Sequence, residues 1–329
     1  MSAQPTLHRL EQLSPRAFEH PADRAATAAL KSVPGLDAVV RKLIEFGYER
    51  AFRQVYLAAS VKVGPRQLPE VWEVYQRTLV TLDMPDTYEL YVTQFPFANA
   101  AAIGAGKPMI VMTSNLVDTL EADELHSVLG HELGHVLADH VVYHTALLIL
   151  LQLGTAIRMP VLAGLPLLAV ETALLEWFRA AELSADRAAA LACRDPLATC
   201  RSLLVLAAGL PSRRLDLDAF LEQAAEYDDW ESGWDKVMRF LARRSATHPL
   251  AVRRVAELRR WVEEGELDRI LGGQYVRRGS EDRRGDVDAA YDHYANRFWQ
   301  IFRDASEGAT TARGKFEEWL RRGPGKDDG

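Results

Sequence analysis

The chain has 329 residues, of which 48% are hydrophobic and 26% are charged, proportions that are ordinary for a folded protein with a large core. Its net charge of −7, and the lack of a basic patch interleaved with aromatic residues, argue against nucleic acid as a partner. Two cysteines, Cys193 and Cys200, are too few for a disulfide framework, so we expect a reducing compartment, the cytoplasm.

The first part of the chain is predicted to hold an arm, three helices and short strands. Residues 1–22 are polar, contain prolines and lack the apolar run of a secretory signal, so we expect a flexible N-terminal arm. Helical patterns follow at 24–32, 36–58 and 69–83, and strand patterns at 60–63, 88–94, 98–103 and 109–113.

The last two strands are predicted to form a hairpin around the turn at 104–108. If its first strand lies at an edge of the sheet, the free N–H and C=O groups can pair with an extended peptide of any sequence. We therefore predict that Asn99, Ala100 and Ala101 bind the backbone of an extended peptide.

The helix predicted at 122–140 contains His131-Glu132-Leu133-Gly134-His135. Two histidines four residues apart lie on one helical face and can bind one zinc ion, while the glutamate between them can take a proton from water. The simpler alternative is a core helix with two hydrogen-bonded histidines. Gly130 lies one turn before Gly134, and mid-helix glycine costs up to about 1 kcal/mol against alanine, which predicts that another backbone comes close.

Two further features of this region carry predictions. His126, His140 and His144 are predicted to point away from the zinc face and to be surface or interface residues. Residues 145–170 carry one charged side chain, and neither apolar half reaches the roughly 20 residues needed to cross a bilayer. We predict a buried helical hairpin over the active site, with peripheral membrane contact as the alternative.

A catalytic zinc site needs a third protein ligand and an open position for water. Ala138 and Val141 occupy the positions where a metzincin has glycine and a third histidine, so that class is excluded. The leading candidate is Glu182, in an alanine-rich helical segment. Asp186, one turn later on the same face, can accept the free ring N–H of a ligating histidine, preferably His131. Taken alone, such a pair of carboxylates is more typical of a solvated helix face.

The chain then continues mainly as helices, predicted at 196–210, 215–227 and 231–244. A helix at 249–263 follows His248, and Arg254 lies near its second turn, so both side chains are candidate donors to an oxyanion, with metal binding as a second option for His248. By itself, His248 is more typical of a surface or capping residue. We predict a catalytic domain at 23–263, a helical extension at 264–322 with an aromatic helix at 291–305, and a disordered tail at 323–329.

Together these motifs resemble those of the HtpX-like and CAAX-prenyl-protease-like zinc metallopeptidases, peptidase family 48 of the metallo class, of gluzincin type. The matching segments are 131–135, 182–186 and 247–254, and the strand pair before the helix matches as well, over roughly residues 60–262. The resemblance implies an α+β, mostly helical fold with a zincin-like core, a small antiparallel sheet and an active-site helix. It also implies one Zn²⁺ per chain, bound by His131, His135 and Glu182. By the same resemblance, Glu132 is the general base and Asp186 supports a ligand. His248 and Arg254 would assist the transition state, with gating of the metal as a second option for His248.

We therefore predict a zinc-dependent endopeptidase acting on protein or peptide substrates, in which Glu132 takes a proton from a zinc-activated water. Two hypotheses accompany this prediction: a role in protein quality control, and self-inhibition through His248 or residues 145–170. One alternative is a membrane-associated protease of prenylated or membrane-protein tails. Another is a weakly active, zinc-stabilised chaperone or interaction module, against which Glu132 argues, since a structural site needs no base.

Overall fold

The computed structural model describes residues 9–32, 40, 44, 49–153, 167–228 and 250–280. His248, the helices predicted at 231–244 and 291–305, and the tail lie outside these residues. The helices are α1 (Pro21–Ser32), α2 (Glu49–Ala59), α3 (Pro69–Thr81), α4 (Ser114–Thr119), α5 (Ala122–Leu137), α6 (Val141–Leu153), α7 (Leu167–Cys193), α8 (Pro196–Ala208), α9 (Leu217–Asp228), α10 (Ala251–Glu263) and α11 (Glu266–Leu271). The strands are β1 (Val61–Lys62), β2 (Glu89–Thr93), β3 (Ala100–Ile103) and β4 (Met109–Thr113).

The strands form a small sheet in the order β1-β2-β4-β3. The predicted hairpin is present, because β3 pairs antiparallel with β4, with Ala101 opposite Val111. The sheet as a whole is mixed, however, rather than antiparallel as predicted, because β2 and β4 are parallel. The second strand of the hairpin, β4, lies beside β2. The chain reverses direction between β2 and β3 and again between β3 and β4, so β2 and β4 run in the same direction. The α+β, mostly helical fold class is confirmed.

Helix α5 lies at the centre of the core, where it contacts α3, α7, α8 and β3. Its start is fixed by a capping box, in which the Glu121 and Glu124 side chains accept from each other's backbone N–H groups. From Glu124 to His135 every residue is buried. A helix buried all round in this way must meet close neighbours on every face.

The closest of these neighbours is α7, which packs on the two glycines of α5. A Cβ atom added to Gly130 would lie 2.6 Å from Cβ of Ala192, and one added to Gly134 would lie 2.5 Å from Cβ of Ala188. Both distances are shorter than side chains tolerate, so the two backbones approach as closely as the sequence permits. The predicted close approach at the two glycines is confirmed.

Substituting Gly134 with alanine should therefore destabilise the fold. Overpacking costs about 1–3 kcal/mol, which exceeds the gain of up to about 1 kcal/mol in helix propensity. We expect a lower free energy of unfolding in chemical denaturation, and partial recovery when Ala188→Gly is added. Gly64→Ala is the control, because a Cβ there meets no atom within 4 Å. Unchanged stability of Gly134→Ala would contradict this close packing.

The described part of the predicted N-terminal arm packs against the body of the protein. Leu10, Leu13 and Phe18 are buried in the same core as α5, and the Ser14 N–H donates to the Val276 carbonyl at 3.1 Å. The expectation of a loose arm is therefore wrong for residues 9–20. The sequence pattern of this segment is polar because Leu10, Leu13 and Phe18 are separated by polar residues, but all three of these side chains face the core.

The segment predicted as a buried hairpin, 145–170, begins within α6 and ends within α7, and its residues 154–166 lie outside the described part of the chain. The two helices are buried against each other here, since Leu147 and Ile149 of α6 share an apolar cluster with Leu174 and Trp177 of α7 and with α1. Among the described residues, no single helix is long and apolar enough to cross a membrane. The pair Ala122–Leu137 and Val141–Leu151, bent by 99°, meets that test by length and composition only.

Candidate metal centre

Three side chains from two helices converge inside the protein. His131 and His135 lie one turn apart on α5, Glu182 lies on α7, and all three are buried. Glu182 can reach the histidines because α7 packs directly on the glycines of the same α5 segment. One ligand atom from each residue falls within 4.8 Å of the other two, so this group could hold a metal ion.

The distances between these atoms suit a tetrahedral ion. Nε2 of His135 lies 3.1 Å from Nε2 of His131 and 3.1 Å from Oε1 of Glu182. Nε2 of His131 lies 3.7 Å from the same Oε1. Tetrahedral zinc with bonds of about 2.0–2.1 Å places its ligand atoms about 3.3 Å apart. Two imidazoles and a carboxylate are also the donor set of known catalytic zinc sites, so the residues fit this metal.

Asp186 lies where the sequence places it, beside His131. Its Oδ1 atom is 3.1 Å from Nδ1 of His131. Because Nε2 of His131 faces the candidate site, Nδ1 can carry the proton and donate it to Asp186. This contact fixes the orientation of the His131 ring.

Arg254 reaches the same carboxylates from α10. Its Nε and Nη2 atoms donate to Asp186 at 2.8 and 2.6 Å, and its Nη1 lies 2.8 Å from Oε2 of Glu182. Burial alone would raise the pKa values of Glu182 and Asp186, but the Arg254 guanidinium and His131 hold both below the ordinary range. Both carboxylates are therefore kept ionised. Because three Arg254 nitrogens face carboxylates, its predicted role as an oxyanion donor is disfavoured.

Glu132 points from α5 toward β3, and its carboxylate accepts a hydrogen bond from the Ala102 backbone N–H. Burial, and to a smaller extent the charge of Glu182, raise the pKa of Glu132 to about 7. A carboxyl group with such a pKa can both accept and release a proton near neutral pH, as a general base and acid requires.

In the part of the chain that the structure describes, β3 is an edge strand. The Thr113 N–H donates to the Asn99 carbonyl at 2.9 Å, so hydrogen-bonded pairs with β4 fall at Asn99 and Ala101. The N–H and C=O groups of Ala100 and Ala102 consequently face away from β4. Of the three residues predicted to bind substrate, only Ala100 has both backbone groups at the free edge, where it lines a small cavity with Glu132.

His140 lies beside the site and not away from it as predicted. Its side chain is 2% exposed, and its Nδ1 atom is 3.0 Å from Nδ1 of His135. The prediction failed because it extended the helix to residue 140. Helix α5 ends at Leu137, and Asp139 adopts a positive φ of 58°, which turns the chain back toward His135.

The two other histidines of this region also depart from the predicted surface position. The His144 ring stacks on Phe178 at 4.8 Å and lies 6.2 Å from the His135 ring. His126 is buried, and burial lowers its pKa to about 4. It lies more than one helical turn before the metal-facing residues. His248, the remaining candidate, lies outside the described residues.

The comparisons with known proteins agree with this geometry. The sequence profile of Peptidase family M48 matches residues 65–262. The chain belongs to this family. It is 37% identical to the plastoglobule-localized metallopeptidase 48, chloroplastic, of Arabidopsis thaliana over 263 residues, which cover 77% of this chain and 74% of that protein.

Bacterial relatives match over a shorter region. The protease HtpX homolog of Moorella thermoacetica is 31% identical over 108 residues, covering 32% of this chain and 36% of that protein. The protease HtpX of Psychrobacter sp. is 34% identical over 76 residues, or 22% of this chain and 25% of that protein. No solved structure gave a significant match. The family membership makes this M48 protein a metallopeptidase and confirms the predicted resemblance.

Proposed function

We propose that the protein is a zinc-dependent endopeptidase, with one zinc ion held by His131, His135 and Glu182. One observation carries the proposal: Glu132 lines one small cavity with the candidate ligand His131 and with Ala100 of β3, and its carboxylate, whose pKa is raised to about 7, accepts from the Ala102 N–H. A bound zinc ion would supply Lewis-acid chemistry, which polarises a carbonyl group and makes water acidic near neutral pH.

In the proposed reaction, Glu132 takes one proton from a water molecule as the water oxygen forms a bond to the scissile carbonyl carbon. Glu132 then gives this proton to the amide nitrogen as the carbon–nitrogen bond breaks, so the carboxylate is regenerated. The Ala102 N–H holds one side of the carboxylate in place. The second hydrogen of the water stays on the new carboxyl group, which ionises and passes this proton to the amine or to solvent, so the products are a carboxylate and an amine that can be protonated.

The substrate backbone is proposed to lie along β3. An extended peptide can pair there with Ala100, whatever its side chains, which suits an enzyme that cleaves many proteins. The Asn99 and Ala101 backbone groups are directed toward β4, so these residues support the strand's shape. We assign Arg254 a positioning role, because it holds Asp186 and Glu182 in place. The roles of His248 in gating or transition-state binding stay predictions.

The proposal is tested by protein digestion and metal analysis together. Purified protein should contain about one zinc per chain and should cleave an unfolded substrate such as casein. A chelator should remove both the zinc and the cleavage, and added zinc should restore both, because the proposed reaction needs the Lewis-acid chemistry of the ion as well as the base Glu132. Stoichiometric zinc without cleavage would favour the chaperone or interaction-module alternative, whereas cleavage that survives complete metal removal would refute the proposal.

The location of the protein and its biological role are further proposals. The Arabidopsis relative is named as plastoglobule-localized, which supports association with a lipid surface. A carbonate wash of membranes separates the possibilities: release would favour a cytoplasmic or peripheral enzyme, and retention would favour the membrane-associated protease. Protein quality control would require preferential cleavage of unfolded substrates, and self-inhibition would require a gain of activity in His248→Ala.

A further inference from the structure

A chain of buried side chains extends from the candidate metal centre to helix α1. Nδ1 of His135 lies 3.0 Å from Nδ1 of His140, and Nε2 of His140 lies 2.9 Å from Oδ2 of Asp23. His140 is 2% exposed and Asp23 is 1% exposed. Burying a carboxylate this deeply is costly unless its oxygens are hydrogen-bonded, so these contacts must be well satisfied.

The Asp23 carboxylate is held in place from two helices. The Ser184 hydroxyl donates to Oδ2 at 2.6 Å, and the Thr27 hydroxyl donates to Oδ1 at 3.1 Å. Ser184 in turn accepts the His20 backbone N–H at 2.8 Å. Because Ser184 lies two residues after Glu182 on α7, the start of α1 is joined to the helix that carries the third candidate ligand.

We propose that His140 and Asp23 are positioning residues that set the ring orientation and tautomer of His135. The proposal rests on the proposed zinc site. There His135 uses Nε2, so its proton must be on Nδ1, which donates to His140. His140 must then accept with Nδ1 and carry its own proton on Nε2, which donates to Asp23.

The opposite pair of tautomers would place the proton of His135 on Nε2, where it would block metal binding. Asp23 disfavours that arrangement, because its carboxylate can only accept and needs the His140 proton on Nε2. The network thus resembles the pairing of His131 with Asp186, with a histidine inserted between the ligand and the carboxylate. Each imidazole of the candidate site is therefore oriented by an aspartate, directly for His131 and through His140 for His135.

The first test measures zinc affinity in the full-length protein after chelation, by competition with a chromophoric chelator. His140→Phe keeps a ring of similar size but can neither accept from His135 nor donate to Asp23. We expect its Kd for zinc to rise about 10- to 100-fold. The matched control is His126→Phe, which replaces another buried histidine of the same region. Its Kd should stay within about threefold of the parent value.

A second pair of variants separates positioning from packing. His140→Asn offers Oδ1 in place of Nδ1, so it can still accept from His135, and its loss of affinity should be smaller than that of His140→Phe. Asp23→Ala should weaken zinc binding, but the double variant Asp23→Ala/His140→Phe should be no weaker than His140→Phe alone, because Asp23 acts through His140. Fully additive losses would overturn the relay.

The visible absorption of the cobalt-substituted protein gives a readout independent of activity. His140→Phe should shift the cobalt bands, since the His135 ring can then rotate, whereas His126→Phe should leave them unchanged. Parent-like affinity and spectra in His140→Phe would overturn the inference and leave the proposed zinc site intact. If His140→Phe does not fold, the zinc affinities of His140→Asn and Asp23→Ala decide. Weakened binding in Asp23→Ala supports the inference, and parent-like affinity in both variants overturns it. Absence of zinc binding in the parent protein would refute the proposed function, and with it this inference.

Discussion

Glu132→Gln should lose peptide hydrolysis almost completely while still binding zinc. The glutamine amide has the shape of the carboxylate, and its oxygen can still accept the Ala102 N–H. It cannot take a proton from water, however, and general acid–base catalysis contributes about 10²- to 10⁴-fold to rate. We therefore expect kcat/KM to fall by about that factor, with KM and zinc content close to those of the parent.

The measurement requires metal-loaded protein and a peptide substrate with a quenched fluorophore, so that residual rates remain visible. Asp123→Asn is the control, because Asp123 lies in the first turn of the same helix and pairs with Arg201 at the surface. That variant should retain nearly all activity. Undiminished cleavage by Glu132→Gln would remove Glu132 from the reaction and leave the zinc site without its proposed base.

Glu182→Ala should lose the metal itself. The substitution removes the carboxylate oxygen that lies 3.1 Å from Nε2 of His135, and with it one of three candidate ligand atoms. It also leaves the buried Arg254 with one carboxylate partner instead of two. Breaking a buried ion pair from one side costs about 3–5 kcal/mol, so the free energy of unfolding should fall as well. Zinc content after dialysis and chemical denaturation measure the two effects separately.

Glu176→Ala provides a matched control on the same helix. Glu176 pairs with Arg179 three residues later, and both side chains are partly exposed. Surface ion pairs contribute about 0–1 kcal/mol, so this variant should keep its zinc and nearly all of its stability. Full zinc content in dialysed Glu182→Ala would exclude Glu182 as a ligand and would require another residue to complete the site.

The sequence was sufficient for the parts of the site that repeat at helical spacing. His131, Glu132 and His135 fall on one stretch of helix, and Asp186 follows Glu182 by one turn, so each pair is arranged by the geometry of a single helix. The two glycines predicted a close neighbour, and α7 fills that place with alanines. Glu182 was already the leading candidate for the third ligand from its helical segment and from Asp186, and the resemblance supported it, although spacing within a single helix could not place it beside the histidines.

Other features needed contacts between residues that are distant in the chain. Whether β4 pairs with β2 in parallel depends on which strand of the hairpin lies inward, and both arrangements have the same alternation of side chains. Arg254 was also predicted to be an oxyanion donor, because its position in the sequence indicates only that it lies on a helix and not which residues it contacts. Its partners, Asp186 and Glu182, come from α7.

By itself, the sequence determined the metal-binding motif, the helices that carry it and the family, because these depend on residues within one or two turns of each other. The tertiary structure alone decided that His140 turns back to His135 and that Asp23 meets it. Helix periodicity ends at Leu137, and the positive φ of Asp139 then reverses the chain. Asp23 lies beside His140 because α1 packs on α7, and the spacing of residues within either helix does not predict that contact.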